Sequence, residues 1–269
     1  MKLWLGPAGT PIDSKSSLSA ITDLAGLGLN AMELQFTYGV KMGIETARRI
    51  GELAKQGGIR LSIHAPYYIN LLQQDKAKLN RSLSNIYESA KRADLLGAKV
   101  VVFHPGAYMK MQKGAAMEQM ISVCEEASKN VSVPLGLELT GKQGQFGNID
   151  EIVAVCKAVK GCVPVVDFAH DYARNAGHID YDSIFKKLNT LKLKEHHFHF
   201  SGINFSVRED GLGNERNHEP ISVNKPPFKP LAEKILKEKI DSAIICESPL
   251  LDRDSLAMKR IFREIGYGF

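Results

Sequence analysis

The sequence predicts a single (β/α)8 TIM barrel formed by residues 1–269. Strand-like apolar runs and helix-like amphipathic stretches alternate along the chain, a pattern typical of parallel strands joined by helices. Eight such units follow one another, which is the number that closes a barrel of about 250 residues. No GxGxxG sequence follows the first strand-like run, and this disfavours the alternative of an open, doubly wound sheet.

The elements are expected in a regular order. Runs such as KVVVF and AIIC are continuously apolar, as strands buried on both faces are. Stretches such as 74–96 carry apolar residues three and four positions apart, which is helical spacing. The strand-like runs lie at about 3–8, 31–36, 59–65, 98–104, 135–140, 162–169, 195–201 and 242–248. The helix-like stretches lie at about 15–28, 42–56, 74–96, 113–130, 149–159, 180–189, 228–239 and 253–265.

The longest stretch expected to be irregular is 202–227. It follows the seventh strand-like run, so we expect it to lie over the mouth of the barrel. Loops of this length within compact domains are usually functional or disordered. Its segment GLGNERNHEP is rich in groups that can bind metals or phosphates.

Composition is that of a globular protein, with 44% apolar and 24% charged residues. No apolar run approaches the roughly 18 residues that span a membrane, and the N-terminus has no signal-peptide pattern, so a cytoplasmic protein is expected. The four cysteines are scattered without a CxxC spacing, and we interpret them as buried, reduced thiols. The formal net charge of +5 is compatible with a polyanionic partner but does not establish one.

Histidines and acids occupy the ends of six successive strand-like runs. Because active sites of (β/α)8 barrels lie at the C-terminal ends of the strands, these side chains are expected to converge on one mouth. Imidazoles and carboxylates without cysteine suit zinc, manganese or iron. The strand-end residues are His64, His104, Glu138, Asp167, His170, His199 and Glu247, and the loop adds His218.

Eight such groups are enough for two metal ions, or for three if a carboxylate bridges. Two metals about 3.5–4 Å apart can stabilise both the attacking and the leaving oxygen of a phosphoryl displacement. Glu138, in the middle of the set, is the natural bridging ligand. His197 shares a strand face with His199 and is the alternative ligand on that strand. Asp167 and His170 would face opposite ways in an extended strand, so at least one must lie beyond a bend.

Around these residues the chain resembles the endonuclease IV family, the zinc-dependent apurinic/apyrimidinic endonucleases of DNA repair. The segments that carry the resemblance are SIHAPYYINL, VVFHPG, LGLELTGKQG, VVDFAHDYARNAG, HFHFSG and IICES. The resemblance covers residues from about 2 to 265 and implies a monomeric xylose-isomerase-like TIM barrel that acts on duplex DNA containing abasic sites. Members hydrolyse the phosphodiester on the 5′ side of the abasic sugar, using hydroxide bound to the metals.

The resemblance also implies how the metals are held, with two or three zinc ions per chain and manganese as an alternative. His64 and His104 would bind one ion, and Glu138 would bridge it to a second and orient the hydroxide. Asp167, His199 and Glu247 would complete the second site, and His170 and His218 would hold the third.

The loop departs from the family's pattern at one position. Arg216 stands where the family has a metal-binding aspartate two residues before its histidine, and a guanidinium cannot ligate a metal. Glu215 or Asp210 could replace that aspartate. If Glu215 is placed at the aspartate position instead, Asn217 falls at the histidine position.

DNA contacts are implied for the loops around the mouth. Tyr67 is expected to stack near the abasic site and Tyr68 to act as a wedge, because acting on a damaged site requires unstacking. Lys41 lies near where the family inserts a basic residue into the duplex. Further phosphate contacts are expected from post-strand residues, each with a salt-dependent contribution. These are Lys142, Arg174, Arg208 and Lys225.

Two alternative functions remain open at this point. A sugar isomerase or epimerase of similar fold would need one metal held by two Glu, one Asp and one His, and Glu138, Asp167, His199 and Glu247 supply that set. A DNA-binding barrel without activity is supported by the departure at Arg216 alone. The number of bound metals separates the first alternative from the nuclease, and metal-dependent incision separates the second.

Overall fold

The computed structural model describes residues 1–269 and confirms the predicted (β/α)8 barrel. The barrel strands are β1 (Leu3–Pro7), β2 (Ala31–Gln35), β3 (Arg60–His64), β4 (Val101–Phe103), β5 (Leu135–Glu138), β6 (Cys162–Asp167), β7 (Glu195–Phe200) and β10 (Asp241–Cys246). The helices are α1 (Ser17–Leu27), α2 (Ile44–Gly57), α3 (Lys76–Leu96), α4 (Lys113–Lys129), α5 (Ile149–Ala158), α6 (Phe168–Arg174), α7 (Tyr181–Asn189), α8 (Phe228–Glu238) and α9 (Leu251–Glu264).

The barrel strands are parallel and run in the order β1-β10-β7-β6-β5-β4-β3-β2. The seam between β1 and β2 is closed partly by a side chain. The Asn30 amide accepts a hydrogen bond from the Leu5 N–H at 2.7 Å and donates to the Leu3 carbonyl at 2.9 Å. At the same seam Gly6 is required, because a Cβ there would lie 1.7 Å from the Ala31 carbonyl oxygen.

Local sequence sets the helix boundaries. Ser16 and Asn148 begin α1 and α5 with reciprocal capping bonds, which satisfy N–H groups that a helix start leaves free. Gly28, Gly58 and Gly97 end α1, α2 and α3 in the left-handed conformation that glycine adopts without strain. No helix of the chain combines the length and the apolar character that a membrane span requires.

Two packing regions surround the strands. The larger hydrophobic core lies between the barrel and the helices and includes Phe103, Phe198 and Phe262. A small separate cluster of Val100, Val102 and Val165 accounts for part of the barrel interior. The buried polar side chains of Glu33, Ser62, His197 and His199 also lie in the interior, beneath the site described below.

The stretch 202–227 is not irregular, so that prediction was wrong. It contains an antiparallel hairpin of β8 (Gly202–Val207) and β9 (Gly213–Glu219), followed by a 3₁₀ turn at Ile221–Val223. The hairpin packs on α6, where a Cβ at Gly213 would lie 1.8 Å from the Ala173 carbonyl oxygen. Its inner strand face is therefore held against the barrel mouth.

Candidate metal centre

The eight predicted metal ligands converge at the C-terminal end of the barrel. Their donor atoms form overlapping groups in which all atoms lie within 4.8 Å of one another. The groups are His64, His104 and Glu138; Glu138, Asp167, His199 and Glu247; and Asp167, His170 and His218. Because Glu138 belongs to two groups and Asp167 to two, the arrangement provides neighbouring sites that share carboxylates.

Glu138 has the geometry of a bridging ligand. Its Oε2 lies 2.9 Å from the Nε2 atoms of both His64 and His104. Its Oε1 lies 2.9 Å from His199 Nδ1. The side chain is fully buried. Because one oxygen contacts His64 and His104 and the other contacts His199, the carboxylate lies between two sets of histidines.

Three histidines are oriented by backbone carbonyls. The Nδ1–H groups can donate from His64 to Ala65 at 2.8 Å, from His170 to Leu139 at 2.8 Å, and from His218 to Glu247 at 3.1 Å. In that tautomer each Nε2 carries the lone pair and faces the mouth. Fixing the outer nitrogen in this way is typical of metal-binding histidines.

The Asp167-x-x-His170 pair lies across the end of β6, where the chain turns into α6. Asp167 is the N-cap of that helix, and its Oδ1 accepts a hydrogen bond from the His170 N–H at 2.7 Å. The predicted bend is therefore a helix start, and it brings both side chains to the mouth. Asp167 Oδ2 is buried without a hydrogen-bond partner, which leaves it available to a cation.

A β-bulge explains the unusual spacing in the hairpin. Ladder pairing runs Ile203 with His218, Asn204 with Asn217 and Phe205 with Glu215, so Arg216 has no partner. In a regular strand, two residues three positions apart point to opposite faces. The extra residue of a bulge brings them to the same face. Glu215 and His218 therefore both face the mouth, while Arg216 is exposed.

Glu215 occupies the acidic position beside the third group of ligands. Its Oε2 lies 3.1 Å from His170 Nε2, which in turn lies 3.1 Å from His218 Nε2. Oε2 is buried and has no hydrogen-bond partner. Gly141 makes room for it, because a Cβ there would lie 2.1 Å from Oε2 and 2.7 Å from the Glu215 Cβ. Asp210 instead pairs with Arg208 at the exposed hairpin tip.

Mutual attraction in the buried site shifts the pKa values of its groups. Burial acts to lower the pKa of His64, but the hydrogen bond and charge of Glu138 outweigh it and raise the pKa to about 9. For His170, burial again acts to lower the pKa, but the charges of Asp167 and Glu215 outweigh it and raise the pKa to about 10. Burial acts to raise the pKa of Glu138, yet the charges of His104 and His199 hold it well below the usual range. When no cation is bound, protonated histidines therefore compensate the negative charges of the buried carboxylates.

The stability of the metal-free protein is expected to fall as pH rises. The ion pairs of His64 and His170 stabilise the fold fully below the unfolded pKa of 6.5, and this contribution is lost as pH passes through about 9 to 10. The loss of stability is measured as the unfolding temperature in excess chelator at pH 6.5, 8 and 9.5. A change of 1 kcal/mol in the free energy of unfolding shifts that temperature by about 2–4 °C. A His64→Asn/His170→Asn variant is the control and should show a smaller decline, which His199 alone would then cause because its pKa is also raised. An unfolding temperature of the native chain that is flat or rises over this range would contradict the expectation.

A cavity of about 220 Å³ opens above the ligands. Tyr67 lines it together with the imidazoles, and Tyr38 and Tyr68 continue the aromatic surface outward. The ring centroids are 5.8 Å apart for Tyr38–Tyr67 and 5.6 Å for Tyr67–Tyr68. All three rings are exposed, so this rim offers an aromatic surface beside the ligands.

The predicted basic residues differ in how free they are. Lys41 is exposed in the loop after β2, Lys142 lies 3.5 Å from Glu215, and Arg208 pairs with Asp210 at 2.9 Å. Lys225 is also exposed. Arg174 is not available for phosphate, contrary to expectation. It is buried and donates to the carbonyls of Thr140, Lys142 and Gln145, which stiffens the loop that carries Gly141.

The sequence reasoning missed two features of the site. Tyr38 extends the aromatic rim, and its position in the loop after β2 (Ala31–Gln35) could have indicated it. Glu33 lies in the middle of β2, fully buried, and its carboxylate contacts both His197 and His199. His199 faces Glu138 and Glu247 with Nδ1 and Glu33 with Nε2, whereas His197 contacts Glu33.

Comparisons with known proteins agree with this architecture. A sequence profile described as xylose isomerase-like TIM barrel matches residues 21–263. An uncharacterized protein of Methanocaldococcus jannaschii is 34% identical over 276 residues, covering 98% of each chain. A probable endonuclease 4 of Mycoplasmoides gallisepticum is 26% identical over 233 residues, covering 81% of this chain and 73% of that protein.

Solved structures with the same fold include two different classes of enzyme. Endonuclease IV from Thermus thermophilus superposes with a TM-score of 0.74 at 19% identity, covering 98% of both chains. A D-tagatose 3-epimerase-like protein superposes with a TM-score of 0.74 at 20% identity, covering 98% of this chain and 96% of that one. At these identities the likeness establishes the fold alone.

Proposed function

The chain belongs to the xylose isomerase-like TIM-barrel family, and from that premise we propose that it is a metal-dependent endonuclease that hydrolyses the phosphodiester 5′ to an abasic site in duplex DNA. The observation that carries the proposal is the ligand set. A single metal would use Glu138, Asp167, His199 and Glu247. Four further histidines also face the mouth, namely His64, His104, His170 and His218. The similarity to a probable endonuclease 4 and the aromatic rim support the same conclusion.

The residues present fit divalent cations. The carboxylate oxygens Asp167 Oδ2 and Glu215 Oε2 are buried without a hydrogen bond and lie 3.5 Å and 3.1 Å from the nitrogens of one histidine, His170. Buried carboxylates that are not fully compensated are costly, and a cation would compensate them. His64, His104 and Glu138 would hold one ion, and Glu138, Asp167, His199 and Glu247 a second. His170, His218 and Glu215 would hold a third. Nitrogen and oxygen donors without thiolates suit zinc or manganese.

Each part of the mouth has a role in the proposed reaction. When bound, the cations would activate water and neutralise charge on the scissile phosphate. Glu138 contacts both histidine sets and would orient the attacking water. Tyr67 lines the cavity and Tyr68 lies beside it, and the two rings would fill the gap left by an unstacked abasic sugar. Lys41, Lys142 and Arg208 would contact flanking phosphates, which predicts binding that weakens with salt.

Incision of a defined substrate tests the proposal. The purified protein, supplied with zinc or manganese, is incubated with a labelled duplex that contains one tetrahydrofuran abasic analogue. Cleavage on its 5′ side, leaving an end that a polymerase extends, is expected, while the undamaged duplex stays intact. Absence of incision with every divalent metal, at enzyme in excess over DNA, would refute the proposal.

One observation favours a second candidate, a single-metal sugar epimerase. Glu138, Asp167, His199 and Glu247 by themselves form a compact group of the type such an enzyme would use. The epimerase-like fold neighbour gives it further support. Metal stoichiometry distinguishes the two candidates, since one tight metal per chain favours the epimerase and two or three favour the nuclease.

A further inference from the structure

A group of buried polar side chains in the barrel interior lies directly beneath the candidate metal centre. Glu33 on β2 is surrounded there by Ser62 on β3 and by His197 and His199 on β7, and all four side chains are buried. Barrel interiors of this fold are usually filled by branched apolar residues. A buried carboxylate in that place is costly unless each of its oxygens is paired.

The Glu33 carboxylate has four donors for its two oxygens. Ser62 Oγ donates to Oε2 at 2.8 Å and His197 Nε2 lies 3.0 Å from the same oxygen. His199 Nε2 lies between the two oxygens, 3.1 Å from Oε1 and 3.3 Å from Oε2, and the Gln35 amide donates to Oε1 at 3.3 Å. A carboxylate accepts about four hydrogen bonds, so this set satisfies it fully, provided that both histidines carry the proton on Nε2.

That requirement determines which nitrogen of His199 faces the mouth. With the proton on Nε2, the lone pair is on Nδ1, which lies 2.9 Å from Glu138 Oε1 and 3.4 Å from Glu247 Oε1. His64, His170 and His218 have the opposite arrangement, because backbone carbonyls hold their Nδ1–H groups. No backbone carbonyl serves His199, and Glu33 takes that place.

The same geometry argues against a separate metal at Glu33, His197 and His199, although their donor atoms are close enough to hold one. His199 would have to bind through Nε2 there and through Nδ1 at the mouth, which a neutral imidazole cannot do because one of its nitrogens carries a proton. The contacts are better explained by a carboxylate–histidine–metal arrangement, a common device for orienting a ligand.

We propose that Glu33 is a positioning residue that holds His199 as the Nε2–H tautomer and so directs its Nδ1 lone pair to the ion bound by Glu138, Asp167 and Glu247. The inference rests on the metal centre of the proposed function but not on its substrate. Glu33 acts only through His199, and the group of His64, His104 and Glu138 does not need it.

Metal affinity tests this role without using DNA. Zinc binding is measured by competition with a chelator for the native chain and for Glu33→Met, which keeps the volume and removes the acceptor. One site is expected to weaken about 10- to 100-fold, the usual effect of losing such a partner, while the others stay unchanged. Glu33→Gln retains one acceptor oxygen, so its zinc affinity should lie between those of the native chain and Glu33→Met. Ser62→Ala is the matched control, because it removes a neighbour of Glu33 and leaves the His199 contact, and it should bind zinc within about twofold of the native chain.

Nitrogen NMR of histidine-labelled, zinc-loaded protein provides the second readout. One ring, assigned by its loss in His199→Ala, should be protonated on Nε2 and bound through Nδ1, and Glu33→Met should change that pattern for this ring alone. Equal zinc affinity and an unchanged His199 signal in Glu33→Met would overturn the proposal, as would equal weakening of all sites. If Glu33→Met does not fold, the same two readouts in Glu33→Gln decide the question. A chain that binds zinc in this Glu33-dependent way but never cuts abasic DNA would refute the proposed function and leave this inference standing.

Discussion

Glu138→Gln is expected to lower incision of abasic duplex by about three orders of magnitude, the upper scale for losing one preorganised charge in a closed site. The substitution keeps the size of the side chain but removes the negative charge that both histidine sets share. The single amide oxygen can face either the pair His64 and His104 or His199. It cannot serve both sets, because the other end of the amide is a hydrogen-bond donor. The two sets are therefore no longer bridged, and the measured metal content should fall by at least one ion per chain.

The measurement combines single-turnover incision with metal analysis of the same preparation. Glu118→Gln on the outer face of α4 is the matched control, since it removes an exposed carboxylate far from the mouth, and it should leave both values unchanged. Full incision by Glu138→Gln with an intact metal complement would show that Glu138 neither bridges nor orients water. Loss of incision with every metal retained would assign it to orienting water alone.

Much of the fold could be predicted because its signals are local and repeated. Most barrel strands are rich in apolar residues and most helices have apolar spacing, so the observed bounds of the expected elements lie within about three residues of those predicted. The short helix α6 (Phe168–Arg174) was not predicted. The strand-end ligands were equally accessible, since barrel topology alone brings strand ends together. His104 and Glu247 needed nothing beyond that rule.

The hairpin was harder to predict because its strands lack a clear alternation. In β9 the bulge at Arg216 interrupts the period of two, so Glu215 and His218 seem in sequence to face opposite ways. Only the ladder pairing shows that one residue is extra. The choice between Glu215 and Asp210 depended on that count, and sequence spacing alone could not supply it.

Glu33 was missed for a different reason. It lies within AMELQ, a run that alternation and hydropathy assign to a buried strand, and a single acid there is not informative by itself. Its meaning depends on Ser62, His197 and His199, which are 29, 164 and 166 positions away in the chain. Contacts over such separations follow from strand order and register, which only the folded structure provides.

Glu215→Ala is expected to remove one metal ion per chain and to lower incision by about 10²-fold. Burial acts to raise the pKa of Glu215, but the charges of His170, His104 and Lys142 outweigh it and lower the pKa. The carboxylate is therefore ionised at neutral pH, and its buried Oε2 has no hydrogen bond and lies 3.1 Å from His170 Nε2. Without it, the third ion would keep His170, His218 and the Asp167 carboxylate that it shares with the second site, and it would lose the only acid that serves it alone.

The bulge supplies the matched control for this prediction. Arg216→Ala changes the adjacent residue but on the exposed side of β9, so all metals should be retained and only salt-sensitive DNA binding should weaken. Gly141→Ala reaches the same ion from the other side, because its methyl group would occupy the space of the Glu215 carboxylate, and it should reproduce the metal loss of Glu215→Ala. If Glu215→Ala keeps every metal while Arg216→Ala loses one, the side chains face opposite to the directions that the bulge gives them. A full metal complement in both variants would mean that the third ion is held without any acid from the hairpin.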